Sequence, residues 1–166
     1  MTRPARVAIL CRQLVMGGAE RQLLALLRGI PRDRLRVHLL VFYSGGELWP
    51  ELRDIAALDV VDLRKRGRWD VVPFVVRAYR ALDAIQPDVI YGYQTVAMEL
   101  SAILGRLRGS RVAWGVRASD VDLTSYDAGA RLLFRAGARL SRFAHVIIFN
   151  SQRGLAHYRA HGNTPA

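Results

Sequence analysis

Short, nearly unbroken apolar runs alternate along this chain with longer stretches in which apolar residues recur every three or four positions. The runs predict strands at Arg6–Cys11, Leu35–Phe42, Leu58–Leu63, Val89–Tyr91, Arg111–Val116 and Val146–Phe149. The periodic stretches predict helices at Gly18–Gly29, Val71–Ile85, Thr95–Leu107, Tyr126–Arg142 and Gln152–His161, with a short one at Pro50–Ile55. Leu23, Leu26, Leu27 and Ile30 share a face of the first helix. Val72, Val75, Val76, Tyr79 and Leu82 form the expected apolar face of the helix from Val71. Asp70 is placed to cap that helix, Pro73 is tolerated in its first turn, Gly109 stops the next one, and Asn150-Ser151 opens the last.

Strands that are apolar throughout and joined by helices are buried on both faces of a parallel sheet. The expected fold is therefore α/β, a Rossmann-like three-layer α/β/α arrangement with a mainly parallel sheet. Its 166 residues suit one domain over 1–166. Ligands of such sheets gather at the carboxyl ends of the strands. Those ends are Arg12–Gly18, Tyr43–Gly46, Arg64–Trp69, Gly92–Thr95, Arg117–Asp122 and Asn150–Arg153, and they concentrate glycine, tyrosine, arginine and small polar residues. The opposite ends, such as Pro31-Arg32-Asp33 and Gln86-Pro87, look plain.

Residues 6–30 carry the strongest local signal. A strand runs into Gly17-Gly18, and a helix opens at Ala19-Glu20. Glycines let a ligand approach the backbone, and the first helical N–H groups have no partner within the helix, so such a turn suits an anion. The pattern is neither GxGxxG nor a P-loop, and a tight βα turn without a ligand fits it as well.

Charge narrows the partners. The chain carries a formal +11, and every basic residue but Lys65 is arginine. The excess favours phosphates, anionic lipids or nucleic acid. No zinc-ligand spacing, RNP signature or basic zipper is present, so a membrane surface or a phosphorylated small molecule is expected rather than nucleic acid. Arg131, Arg135, Arg139 and Arg142 fall within about 80° on a helix of 3.6 residues per turn. They read either as the solvated edge of a core helix or as a patch for anionic head groups. The lone Cys11 excludes an internal disulfide and reads as a small buried hydrophobe. No apolar run approaches the roughly 18–20 residues of a spanning helix, and the N-terminus is not a signal peptide. The expected location is cytoplasmic, with peripheral attachment to the inner face of the plasma membrane as its extension.

Four segments then resemble a known family in order: MGGAER (16–21), QPDVIYGYQ (86–94), VAWGVRASD (112–120) and HVIIFNSQRGLAHYRAHG (145–162). Together they are similar to the N-terminal, acceptor-side domain of the family 4, GT-B-type retaining glycosyltransferases, over nearly the whole chain. The resemblance implies a nucleotide-sugar donor as co-substrate, a saccharide, lipid-linked or small-molecule acceptor, and no metal or other cofactor. It places Gly17, Gly18, the amides of Ala19 and Glu20, and Arg117 near the donor phosphates. Tyr93, Gln94, Ser119 and Asp120 fall near the acceptor. Arg117 also fits as one solvated arginine among many, Ser119 and Asp120 as helix caps, and Tyr93 and Gln94 as an ordinary loop. No catalytic base is assigned, because an acidic residue such as Glu20 in a first helical turn is common.

Two departures and one expectation complete the reading. The family usually carries histidine or another small polar group at the end of the fourth strand, where this chain has Tyr91-Gly92-Tyr93-Gln94. It often has a histidine after the fifth, where Arg117, Ser119 and Asp120 stand. Full-length members add a C-terminal donor-binding domain with a Glu-x7-Glu motif, so this chain is expected to be the acceptor half, inactive alone. The rival reading is a non-catalytic nucleotide- or phosphate-binding module, or a split subunit at the membrane surface.

Overall fold

A computed structural model of the protein describes residues 3–67, 69–117 and 137–160. The chain forms two compact units, 1–89 and 90–166. In the first, β1 (Ala5–Cys11) leads to α1 (Gly18–Gly29), β2 (Leu35–Val41), a 3₁₀ turn over Trp49–Asp54, β3 (Asp59–Asp62) and α2 (Val71–Ile85). The strands lie in the order β3-β2-β1. Both pairs are parallel, with Arg6 beside Arg36, Val7 beside Val37, and His38 beside Asp59. The division falls at the start of β4 (Val89–Tyr93). The second unit continues through α3 (Ala97–Arg108), β5 (Arg111–Val116), β6 (Val146–Phe149) and α4 (Gln152–Ala160). Its strands run β4-β5-β6, and Val116 of β5 lies in parallel register with Phe149 of β6. The six strands, alternating with helices, make a parallel Rossmann-like α/β fold.

The inner strands bury what the apolar runs predict, but β3 and β6 leave Val60, Val146 and Ile148 exposed, and on α1 Leu24 is buried where Leu26 is expected. Ile9, Leu10, Leu39, Leu40 and Val41 are closed off from solvent in the first unit, as are Leu23, Leu24 and Leu27 of α1. Burying a leucine of this kind contributes about 1.5–3 kcal/mol. In the second unit Trp114 is the centre of a cluster with Met98, Ala102, Val112, Val116, Ala144 and Tyr158. Its indole N–H donates to Ser101 Oγ at 3.1 Å, which satisfies a polar atom in an otherwise apolar layer.

Several sequence expectations are corrected. On α2 the buried residues are Phe74, Ala78 and Leu82, whereas Val72 is 73% exposed and Val76 and Tyr79 also face solvent. Val71, Val72, Val75 and Val76 widen the apolar side of this helix, so more than one stripe fits its sequence. Asp70 occupies the N-cap position without capping. Its carboxylate instead accepts the Arg66 N–H at 2.7 Å and a bond from Arg77 Nη2. β4 runs two residues past Tyr91, and α3 starts at Ala97 rather than Thr95. Gln94 and Val96 adopt left-handed φ of 68° and 69°, which turns the chain sharply before the helix. The buried Glu99 carboxylate accepts the Val96 N–H and secures that turn. The capping role of Ser151 holds: its Oγ accepts the Gly154 N–H at 3.1 Å. Of the helix expected over Tyr126–Arg142, residues 126–136 lie outside the described residues, as do Ser119 and Asp120.

Candidate functional site

The glycine turn belongs to the first unit. Gly17 is the N-cap of α1 in extended conformation (φ −156°), and no side chain caps the helix. A Cβ at Gly17 would lie 2.2 Å from Glu20 Oε2, so a larger residue there would require the end of the Glu20 side chain to move. The buried Glu20 carboxylate therefore lies against the turn, while the space beside Gly18 is open. What Glu20 offers an anion is its amide, and its own charge works against one. The loop ahead of the turn is fixed by its neighbour after β2. Leu48 donates its N–H to Leu14 O at 3.1 Å, and Glu47 Oε2 accepts the Met16 N–H at 2.9 Å. Gly46 makes this possible. Its φ is +101°, and a Cβ would lie 2.2 Å from Leu14 O. Cys11 at the end of β1 is buried, and burial pushes its thiol up to about 12, so it is an inert, neutral hydrophobe.

The second unit holds Arg117 just past the end of β5. Its Nη2 donates to the Tyr91 phenol oxygen at 2.8 Å, and its guanidinium lies 5.0 Å from the centre of the Tyr93 ring. The two tyrosine rings meet edge to face at 5.9 Å. Gly115 admits this arrangement, because a Cβ there would lie 2.3 Å from the Tyr91 oxygen. Beyond the end of β6, Asn150 Nδ2 donates to Arg117 O at 3.4 Å. Burial holds the Tyr91 phenol above its ordinary range, with Arg117 opposing, so the partner of Arg117 is a neutral hydroxyl. The guanidinium is thus met by the Tyr93 ring and the Tyr91 hydroxyl. Its Nε is buried without a hydrogen-bond partner among the described residues.

Of the predicted site residues, this places Tyr93 beneath Arg117. Tyr93 is buried, and Gln94 forms the strained turn that follows, donating its N–H to Gly115 O at 3.1 Å. Tyr91 and Asn150 were not singled out from sequence. Asn150 also lines, with Phe149, Ser151, Gln152 and Leu155, a cavity of about 380 Å³ at the carboxyl end of β6. Of the four patch arginines, Arg139 and Arg142 are described and exposed, and Arg142 lies 4.9 Å from the Phe143 ring centre. Arg131 and Arg135 lie outside the described residues. Among the described residues no helix is long and apolar enough to cross a membrane.

Comparison with known proteins agrees with this architecture. No curated protein sequence is similar enough to count as a relative. Among solved structures, HepE of Anabaena in complex with UDP-glucose matches at a TM-score of 0.74 and 20% identity, over 96% of this chain and 41% of its own. MurG of Acinetobacter baumannii matches at 0.61 and 17% identity, over 88% of this chain and 41% of its own. UGT2 of Phytolacca americana, complexed with UDP-2-fluoro-glucose and pterostilbene, matches at 0.60 and 11% identity, over 91% and 49%. This chain thus spans less than half the length of each. The model of Glycosyltransferase Family 4 matches residues 16–166. The chain belongs to glycosyltransferase family 4, with the fold of the N-terminal domain of a GT-B enzyme.

Proposed function

We propose that this chain is the acceptor-side domain of an enzyme that transfers a sugar from a nucleotide-sugar donor to a saccharide, lipid-linked or small-molecule acceptor. Family membership supports the reaction class, and the UDP-sugar complexes of HepE and UGT2 support the donor class. The observation that carries the reading is Arg117, a charged fork held by Tyr91 and Tyr93 at the carboxyl end of a parallel strand. A guanidinium fixed in this way suits two-point contact with a phosphate or carboxylate, and it needs little reordering on binding. On the same reading Tyr93, Gln94, Ser119 and Asp120 border the acceptor. The open turn at Gly17-Gly18 accepts an anionic group through the backbone of residues 17–20. Transfer uses no metal, and Arg131, Arg135, Arg139 and Arg142 rest against an anionic membrane surface. Enclosing donor and acceptor orients them and excludes water from the reacting carbon.

The test is a panel of nucleotide sugars incubated with the native full-length polypeptide and an acceptor extract, with products read by mass spectrometry. Release of the nucleotide with transfer of its sugar, unaffected by EDTA, is the expected result. A polypeptide that binds nucleotide sugars and transfers none is instead the binding module of the rival reading.

A further inference from the structure

At the amino ends of β1 and β2, where the sequence looks plain, the first unit contains a cavity of about 580 Å³. Four arginines line it: Arg3, Arg6, Arg32 and Arg36, with Asp59 as the acidic residue in the lining. Two of the four are neutralised. Arg3 pairs with both oxygens of Asp88 at 3.0 and 2.7 Å, and Arg36 Nη2 pairs with Asp59 at 3.3 Å. Arg6 and Arg32 form no ion pair among the described residues, although Arg6 shares the field of Asp88 with Arg3. Asp88 takes only the backbone N–H of Arg6, at 2.8 Å, and Arg32 Nη2 donates to the neutral carbonyl of Leu27 at 2.6 Å. Arg6 Nε and Arg32 Nη1 are buried and have no hydrogen-bond partner among the described residues.

This arrangement costs stability as it stands. Arg6 and Arg36 sit directly opposite each other in the parallel register, and like charges so placed repel. A buried donor without an acceptor adds a further penalty, larger when the group is charged. Burial holds His38 below its ordinary range, Asp59 opposes this, and the charges of Arg36 and Arg6 reinforce it. His38 contacts Asp59 through Nδ1 at 3.2 Å.

We propose that this cavity is a second binding site, for a phosphate ester whose dianion is held by Arg6 and Arg32. The cavity is far larger than a phosphate ion and lies within the roughly 300–1,000 Å³ of small-molecule sites, so the phosphate belongs to a larger molecule. A soluble metabolite and a phospholipid head group share this chemistry. The site lies at the amino ends of the strands and is independent of the transferase reading.

Inorganic pyrophosphate is the first probe, titrated calorimetrically into the chain in phosphate-free buffer. Saturable binding is expected, weakened about tenfold or more in Arg6→Gln and in Arg32→Gln and unchanged in Arg159→Gln. Pyrophosphate should raise the melting temperature of the unsubstituted chain and leave that of Arg6→Gln unmoved. Without ligand, Arg6→Gln should melt no lower than the original, since it relieves repulsion. In parallel, the same proteins are sedimented with phosphatidylglycerol or phosphatidylcholine vesicles. Selective loss of phosphatidylglycerol binding in Arg6→Gln and Arg32→Gln identifies a lipid head group. Loss of pyrophosphate binding alone identifies a soluble ester. If neither substitution changes either readout, the proposal is overturned.

Discussion

The Tyr91–Arg117 contact can be tested by removing one oxygen atom. Tyr91→Phe keeps the ring against Gly115 and Tyr93 and deletes only the acceptor 2.8 Å from Arg117 Nη2. Hydrogen bonds to charged groups contribute about 1.5–3 kcal/mol, and half-burial of Arg117 places this one near the lower figure. The guanidinium's contact with the Tyr93 ring, about 1 kcal/mol, survives the change. A double-mutant cycle with Arg117→Gln isolates the pair, since the two residues touch and their effects should not add. Urea denaturation of all four proteins is expected to give a coupling energy of about 1–1.5 kcal/mol. Because burial raises the Tyr91 pKa, the partner stays a neutral phenol, and the coupling should be the same at pH 5 and pH 8. Additivity within about 0.3 kcal/mol would refute the claim that Tyr91 fixes Arg117.

Three further outcomes follow from the same geometry. Cys11, held neutral up to about 12, should resist a thiol reagent at pH 8 until the protein unfolds; labelling at the rate of a free thiol contradicts its burial. Gly46→Ala should destabilise the chain by about 2 kcal/mol or more, because it combines a left-handed φ with a backbone clash at Leu14; an unchanged urea midpoint means the two loops do not interlock. Backbone and arginine contacts hold the carboxyls of Asp70 and Asp88 below the ordinary aspartate range. The stability they add is therefore present above about pH 4 and lost as pH falls through the lowered values. Asp70→Asn and Asp88→Asn should be less stable than the original at pH 7, with the deficit shrinking as pH falls below about 4, and a deficit independent of pH contradicts this assignment.

The strands were legible because a parallel sheet buried on both faces leaves continuous apolar runs such as Leu39-Leu40-Val41. The same rule failed on α2, where an excess of valine allowed two stripes and packing chose Phe74, Ala78 and Leu82. Candidate site residues are legible where backbone chemistry announces them, as at Gly17, and their side-chain contacts are illegible where strand adjacency creates them. Arg117 is a candidate in sequence by its place after a strand and by resemblance, and reads equally as one solvated arginine among many. It becomes distinctive only when β4 and β5 lie side by side and bring Tyr91 to its guanidinium. The repulsion between Arg6 and Arg36 is likewise a property of register, 30 residues apart in sequence and adjacent in the sheet. Gly46 reads as a generic loop residue until its contact with Leu14 is seen.

The central claim is that Arg117 handles the charged part of a sugar-transfer substrate. The most direct measurement is kcat/KM for nucleotide-sugar turnover by the native full-length polypeptide carrying Arg117→Lys. Lysine keeps the charge but not the planar fork, so a loss of about tenfold or more is predicted, with the fold and melting temperature nearly unchanged. Turnover equal to that of the unsubstituted enzyme would contradict the account, leaving Arg117 as a structural brace between Tyr91 and Tyr93.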